Sequence, residues 1–137
     1  NTSLKNDTYR GNKMATKPAN AAQKQWMSDI ADWANNNNLG LLYDYDNGRG
    51  IQLHHVTGRS SKQNKVAIGH WFIIPVPFDL HDVDSNHMHN VTHHKHSFTE
   101  RFGSQRSLFS DMVNDMRMEM YAIPPTEVLD AIKDTRA

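Results

Sequence analysis

The chain has 137 residues, 37% of them hydrophobic, and its 15 Lys and Arg balance 15 Asp and Glu to a formal net charge of zero. That length suits one domain with a modest core. The absence of cysteine excludes a disulfide framework and thiolate metal sites. The sequence has no apolar run of about 18 residues, so no membrane span and no membrane partner are expected. A charged start followed by an apolar stretch is also missing, so no secretory leader is expected and a cytoplasmic setting is. The nine histidines all lie between His54 and His96. In a chain without thiols, imidazole is the nitrogen or sulfur ligand left to hold a metal.

Charge is uneven along the chain. Residues 1–20 carry a net of +3, 21–50 a net of −2, 51–106 a net of +2 and 107–137 a net of −3. A basic arm and a basic middle alternate with acidic segments. That distribution could steer the middle onto a phosphate backbone, although ordinary surface charge gives the same totals.

In chain order, residues 1–20 are rich in Asn, Thr and Lys and read as a flexible basic arm, followed by one domain over 21–137. Ala22, Trp26, Ile30 and Trp33 share one face of a helix predicted over 21–36, and the Asn35–Asn38 run with Gly40 ends it. Leu41–Tyr45 fits a short strand or a loop packed on that helix. Ile51–Val56 and His70–Ile74 read as two strands of one hairpin, joined by a polar basic loop and stopped by Pro75 and Pro77. A short helix then carries Leu80 and His81. Residues 84–96 read as a loop or short helical turns. Phe98–Tyr121 reads as helix with a break at Gly103. Pro124-Pro125 ends it, and Thr126 caps a last helix.

His54 and His55 are neighbours on a predicted strand, so on a regular strand they face opposite sides and can hold different roles. A bend or bulge at the strand's end would bring both to one substrate. The following loop, Thr57–Lys65, has three cations, several hydroxyls and no carboxylate, which suits phosphate oxygens. A strand histidine and His81 can converge on one ion, and Asp79, Asp82 and Asp84 are placed to orient imidazoles.

This order of strand with His-His, loop, strand and helix with His resembles the HNH nucleases, whose fold is two strands and a helix around one metal. Ile74-Pro75-Val76 followed by His81 is similar to that family's Pro-Leu-Cys…His stretch, with Val76 and Pro77 in the Leu and Cys places. Phe98-Thr99-Glu100-Arg101-Phe102-Gly103-Ser104-Gln105 resembles the Phe-Glu-x-x-Tyr-Gly-Ser-Gln segment of the phage recombination-enhancement nucleases, which depend on RecA. The likeness covers about residues 51–110.

The resemblance implies an α+β domain, mostly helical and loop-rich, built around one β-hairpin plus a crossing helix (ββα-metal), with a helix before it and helices after. It implies His54 and His81 as metal ligands, His55 as general base and Asn64 as the residue bracing the hairpin loop. The family's second helix histidine is Ser85 here, so a third ligand would come from His87 or His93, or from water. The implied function is DNA phosphodiester hydrolysis with one divalent ion (Mg²⁺, Mn²⁺ or Zn²⁺), in a host-cell cytoplasm if the chain is phage-encoded and directed by a RecA-type recombinase filament. Arg59, Lys62 and Lys65 would hold neighbouring phosphates. The alternative is a histidine–metal DNA-binding or phage assembly module without catalysis.

Plainer readings stand beside these. His81 alone suits a satisfied helix histidine, and His89, His94 and His96 suit solvated positions. His70 lines the site or caps the hairpin. The Met112–Met120 stripe fits core or an oligomer face, and the tryptophans fit packing. Asn90-Val91-Thr92 matches a glycosylation acceptor, with little weight in a chain lacking cysteine and leader.

Overall fold

The computed structural model describes residues 17–45 and 48–137. The basic arm lies outside them except for Lys17–Asn20. The described chain is α+β, with four α-helices and a two-stranded antiparallel sheet, plus a second two-residue ladder.

Helix α1 (Ala21–Trp33) starts at a capping box. Asn20 Oδ1 accepts from the Gln23 N–H, and Gln23 Oε1 accepts from the Asn20 N–H, so two otherwise orphan donors are satisfied reciprocally. Its apolar face buries Trp26, Ile30 and Trp33, the expected stripe. The helix ends with the stripe at Trp33, short of the predicted end at residue 36. Asn36 and Asn37 leave helical geometry, with Asn37 at φ 67°, and the Asn38 amide closes onto the Trp33 carbonyl. A 3₁₀ turn at Leu39–Leu41 follows, and Leu42 and Tyr43 pack into the core as loop rather than strand.

Strand β1 (Ile51–His55) does not pair across a simple loop. Its partner is β4 (Ile73–Pro77), and a small hairpin, β2 (Lys62–Gln63) with β3 (Val66–Ala67), is inserted between them. Asn64 and Lys65, both at positive φ (52° and 66°), make its two-residue turn. The expectation that Pro75 and Pro77 stop the second strand is corrected: both lie inside β4. The pairs Gly50–Phe78 and Val56–Phe72 carry ladder hydrogen bonds. By alternation, residues 75 and 77 therefore turn their nitrogens away from β1, where a missing N–H costs nothing. The Pro75 carbonyl on that outer edge accepts the Tyr43 hydroxyl at 2.7 Å.

A second correction concerns His81. No crossing helix carries it. Phe78–Leu80 form one 3₁₀ turn and His81 sits at its end. The segment beyond is irregular but pinned. Asn90, fully buried, donates to the carbonyls of Asp79 and Asp82 and accepts from the N–H groups of Thr92 and His93. The acceptor triplet noted in the sequence is thus a structural clamp.

Helix α2 (Lys95–Phe102) and helix α3 (Gln105–Met118) are separated where the sequence predicts a break. Gly103 takes φ 99°, and Ser104 caps α3 by accepting from the Ser107 N–H. Met112 and Met116 are buried, whereas Met118 and Met120 are exposed. Helix α4 (Thr126–Lys133) has Pro125, not Thr126, at its cap position, and the Pro125 carbonyl takes the N–H groups of Val128 and Leu129. Helices α1 and α3 pack on β4. The aromatic core is tied by polar tips: Trp26 donates to the Trp71 carbonyl and Trp33 to Asp115. No described helix is long and apolar enough to cross a membrane.

Candidate active site

Residues Gln52 and His54, two apart on β1, share one face of the sheet. The turn after β4 brings His81 against them, with the His54 and His81 rings 4.9 Å apart. The first residue of α3, Gln105, reaches the same place. His54 Nε2 meets Gln105 Oε1 at 2.9 Å, and His81 Nδ1 meets Gln52 Oε1 at 2.5 Å. The orientation of the Gln52 amide follows from its other end, which donates to Asp82 at 2.9 Å. An amide oxygen only accepts, so the ring nitrogens facing these oxygens carry the protons. The lone pairs are then on His54 Nδ1 and His81 Nε2.

Burial, with His81 alongside, pushes the His54 pKa down to about 4, and burial also lowers His81. Both rings are neutral near pH 7, the form that ligates metals. Imidazoles held through their second nitrogen by an oxygen acceptor are the arrangement metal-bound histidines adopt. The donor set suits Zn²⁺ or Mn²⁺ better than Mg²⁺, which prefers oxygen. Among the described residues no group of three or more histidines and carboxylates converges. Any further coordination positions would belong to water and phosphate oxygens.

The other predicted ligands sit elsewhere. His87 packs on Tyr45 at 5.1 Å and accepts the His89 N–H. His93 Nε2 bonds the Val83 carbonyl at 2.6 Å. Neither is brought to the His54–His81 pair. Asp82 acts on His81 through Gln52, while Asp79 pairs with Arg49 at 3.0 Å.

His55 lies on the opposite face of β1. Ladder pairing continues through His55–Ile73 and the Val56 N–H to Phe72 bond, so no bulge swings it round. Its ring stands 5.5 Å from that of His70. Burial, the Arg59 guanidinium and His70 all lower its pKa, so it is neutral near pH 7.

Arg59, Lys62 and Lys65 are brought together. With Lys17 and His70 they line one cleft of about 540 Å³ that has no carboxylate among the described residues of its walls. The loop is held there by a backbone contact: a Cβ on Gly69 would stand 2.1 Å from the Arg59 carbonyl oxygen, and Ser61 accepts from the N–H groups of Ile68 and Gly69. A second cleft of about 430 Å³ opens beside Val56 and Thr57, with Lys95 and Arg136 in its wall. Ser61, in the loop after β1, lines both clefts. Asn64 bonds Asp134 at 2.7 Å and ties the small hairpin to the segment after α4.

Sequence reasoning assigned no role to Gln52 or Gln105. The signals were present: Gln52 shares the strand parity of His54, and Gln105 ends the quoted Gly-Ser-Gln segment. Comparison with protein-family models, curated proteins and solved structures found no match.

Proposed function

We propose that the chain is a metal-dependent endonuclease that hydrolyses DNA phosphodiester bonds, with a ββα-metal centre of the HNH type. The observation that carries the reading is the His54–His81 pair, in which two amides set two neutral rings with one lone pair each. In this reading β1 and β4 are the two strands, and the 3₁₀ turn replaces the helix as the carrier of the second ligand.

His54 and His81 would hold one divalent ion. Such an ion supplies charge neutralisation at the phosphate and the departing oxygen. The chain's own residues do the rest. Arg59, Lys62 and Lys65, with Lys17, bind phosphates flanking the scissile one. Lys95 does the same from the second cleft. His55, kept neutral near pH 7 by burial and by Arg59, takes a proton from the attacking water. Because His54 and His55 face opposite sides, the scissile group would lie across the end of β1, next to Val56 and Thr57 of the second cleft. Direction by a RecA-type recombinase filament rests on the likeness of Phe98–Gln105, and a nicking assay with and without the filament tests it.

The central test is nicking of supercoiled plasmid with Mn²⁺. His55→Ala should keep fold and metal content and lose about 10²- to 10⁴-fold in rate. A His55→Ala protein that cuts as fast as the parent defeats the reading. The opposite-face placement of His54 and His55 favours a second reading, a histidine–metal DNA-binding or phage assembly module. There the parent binds Mn²⁺ or Zn²⁺ and plasmid but never nicks.

A further inference from the structure

The His55 side of the sheet holds two buried polar atoms that the reading above leaves unexplained. His55 Nε2 and His70 Nδ1 are both shielded from solvent, and both lack a hydrogen-bond partner among the described residues. Buried polar atoms are rarely left so without a reason. Their rings stand 5.5 Å apart and nearly perpendicular, at 81°. His70 is itself anchored, because its Nε2 meets the Lys17 carbonyl at 2.8 Å. A carbonyl only accepts, so His70 carries its proton on Nε2 and keeps a lone pair on Nδ1.

We propose that His70 is a positioning residue for His55: a small ring rotation lets His55 Nε2–H donate to His70 Nδ1. One hydrogen bond then satisfies both orphaned atoms. It also fixes His55 in the Nε2–H tautomer and leaves Nδ1 with the lone pair that meets the attacking water. The chain of contacts runs from the Lys17 carbonyl through His70 to His55, so the segment entering α1 sets the orientation of the base. This rests on the nuclease reading for its consequence in catalysis, but not for its geometry.

Two measurements test it. Long-range ¹H–¹⁵N correlation spectra of the metal-free protein report the tautomer of each ring. We expect both His55 and His70 to carry their protons on Nε2. A parent spectrum with the His55 proton on Nδ1 overturns the pairing, whatever the activity. In plasmid nicking with Mn²⁺, His70→Ala should lower kcat about tenfold or more with KM for plasmid nearly unchanged. His70→Asn, whose Oδ1 takes the place of Nδ1, should restore most of the rate and the His55 tautomer. Equal loss in both variants, or no loss in His70→Ala, overturns the positioning role. A parental rate in His55→Ala would instead defeat the nuclease reading and leave the tautomer result standing.

Discussion

On the side of β1 that carries Gln52 and His54, each imidazole is gripped at one nitrogen by a glutamine oxygen. On the side that carries His55, one buried nitrogen on each of two neighbouring rings has no partner among the described residues. One strand thus presents a pre-set pair and an uncommitted pair, one residue apart in sequence. The difference separates two needs. A ligand must be held in one tautomer before a cation arrives, whereas a base must exchange a proton during the reaction.

Several changes would break or sharpen this contrast. The largest effect after His55→Ala is expected from Gly69→Ala. A Cβ there collides with backbone of the Gly58–Arg59 segment, which has no flexible end to move aside. It should destabilise the fold by about 2–4 kcal/mol, read from urea unfolding, and loosen the basic cleft. An unchanged unfolding midpoint would show that the loop is not held by this contact.

Next come the amides. Gln105→Leu and Gln52→Leu should each weaken Mn²⁺ or Zn²⁺ binding by about 10- to 100-fold in calorimetry. The same substitutions should leave the tautomer of His55 untouched. Loss of the His55 tautomer on the far side of the strand would deny that the two faces act separately.

The third effect is on pH dependence. His54 has its pKa depressed by burial and by His81, from about 6.5 in the unfolded chain to about 4 in the folded one. The folded protein therefore resists a proton that the unfolded chain accepts. The stabilisation is complete above pH 6.5 and is lost as pH falls through about 4. For the metal-free protein this is on the order of 3 kcal/mol, readable as a falling Tm between pH 7 and pH 4. His54→Phe should flatten that fall, and a slope indifferent to this substitution would place the titration elsewhere. The smallest effect is electrostatic. Lys62→Gln should reduce the salt dependence of DNA binding by about one phosphate contact. An unchanged slope would remove Lys62 from the interface.

Parts of this molecule were readable before any coordinates. The Trp26–Ile30–Trp33 spacing marks α1, because helical periodicity is a local property. Gly103 marks the break between α2 and α3 for the same reason, since only a residue free of a Cβ sits easily at its φ. The strand assignments were half right. Pro75 and Pro77 read as terminators because the local rule counts lost N–H groups, and only pairing tells which nitrogens face a partner. The β2–β3 turn escaped notice because Lys65 is not a residue that announces positive φ. His81 was placed on a short helix because Pro77 suits a first helical turn, and one 3₁₀ turn was enough to deliver it to His54.

By itself the sequence determined the α+β character, the helix faces, the clustering of imidazole in the middle third and, for a regular strand, the opposite orientation of His54 and His55, which the unbroken ladder then settled. Those follow from periodicity and strand parity, which act over a few residues. Only the tertiary structure decided which histidines meet. His54 joins His81 across 27 positions, His55 joins His70, and His87 and His93 are spent on local contacts. Such pairings depend on the register of β1 with β4 and on where α3 begins. Both are settled by packing between distant segments, about which local spacing carries no information.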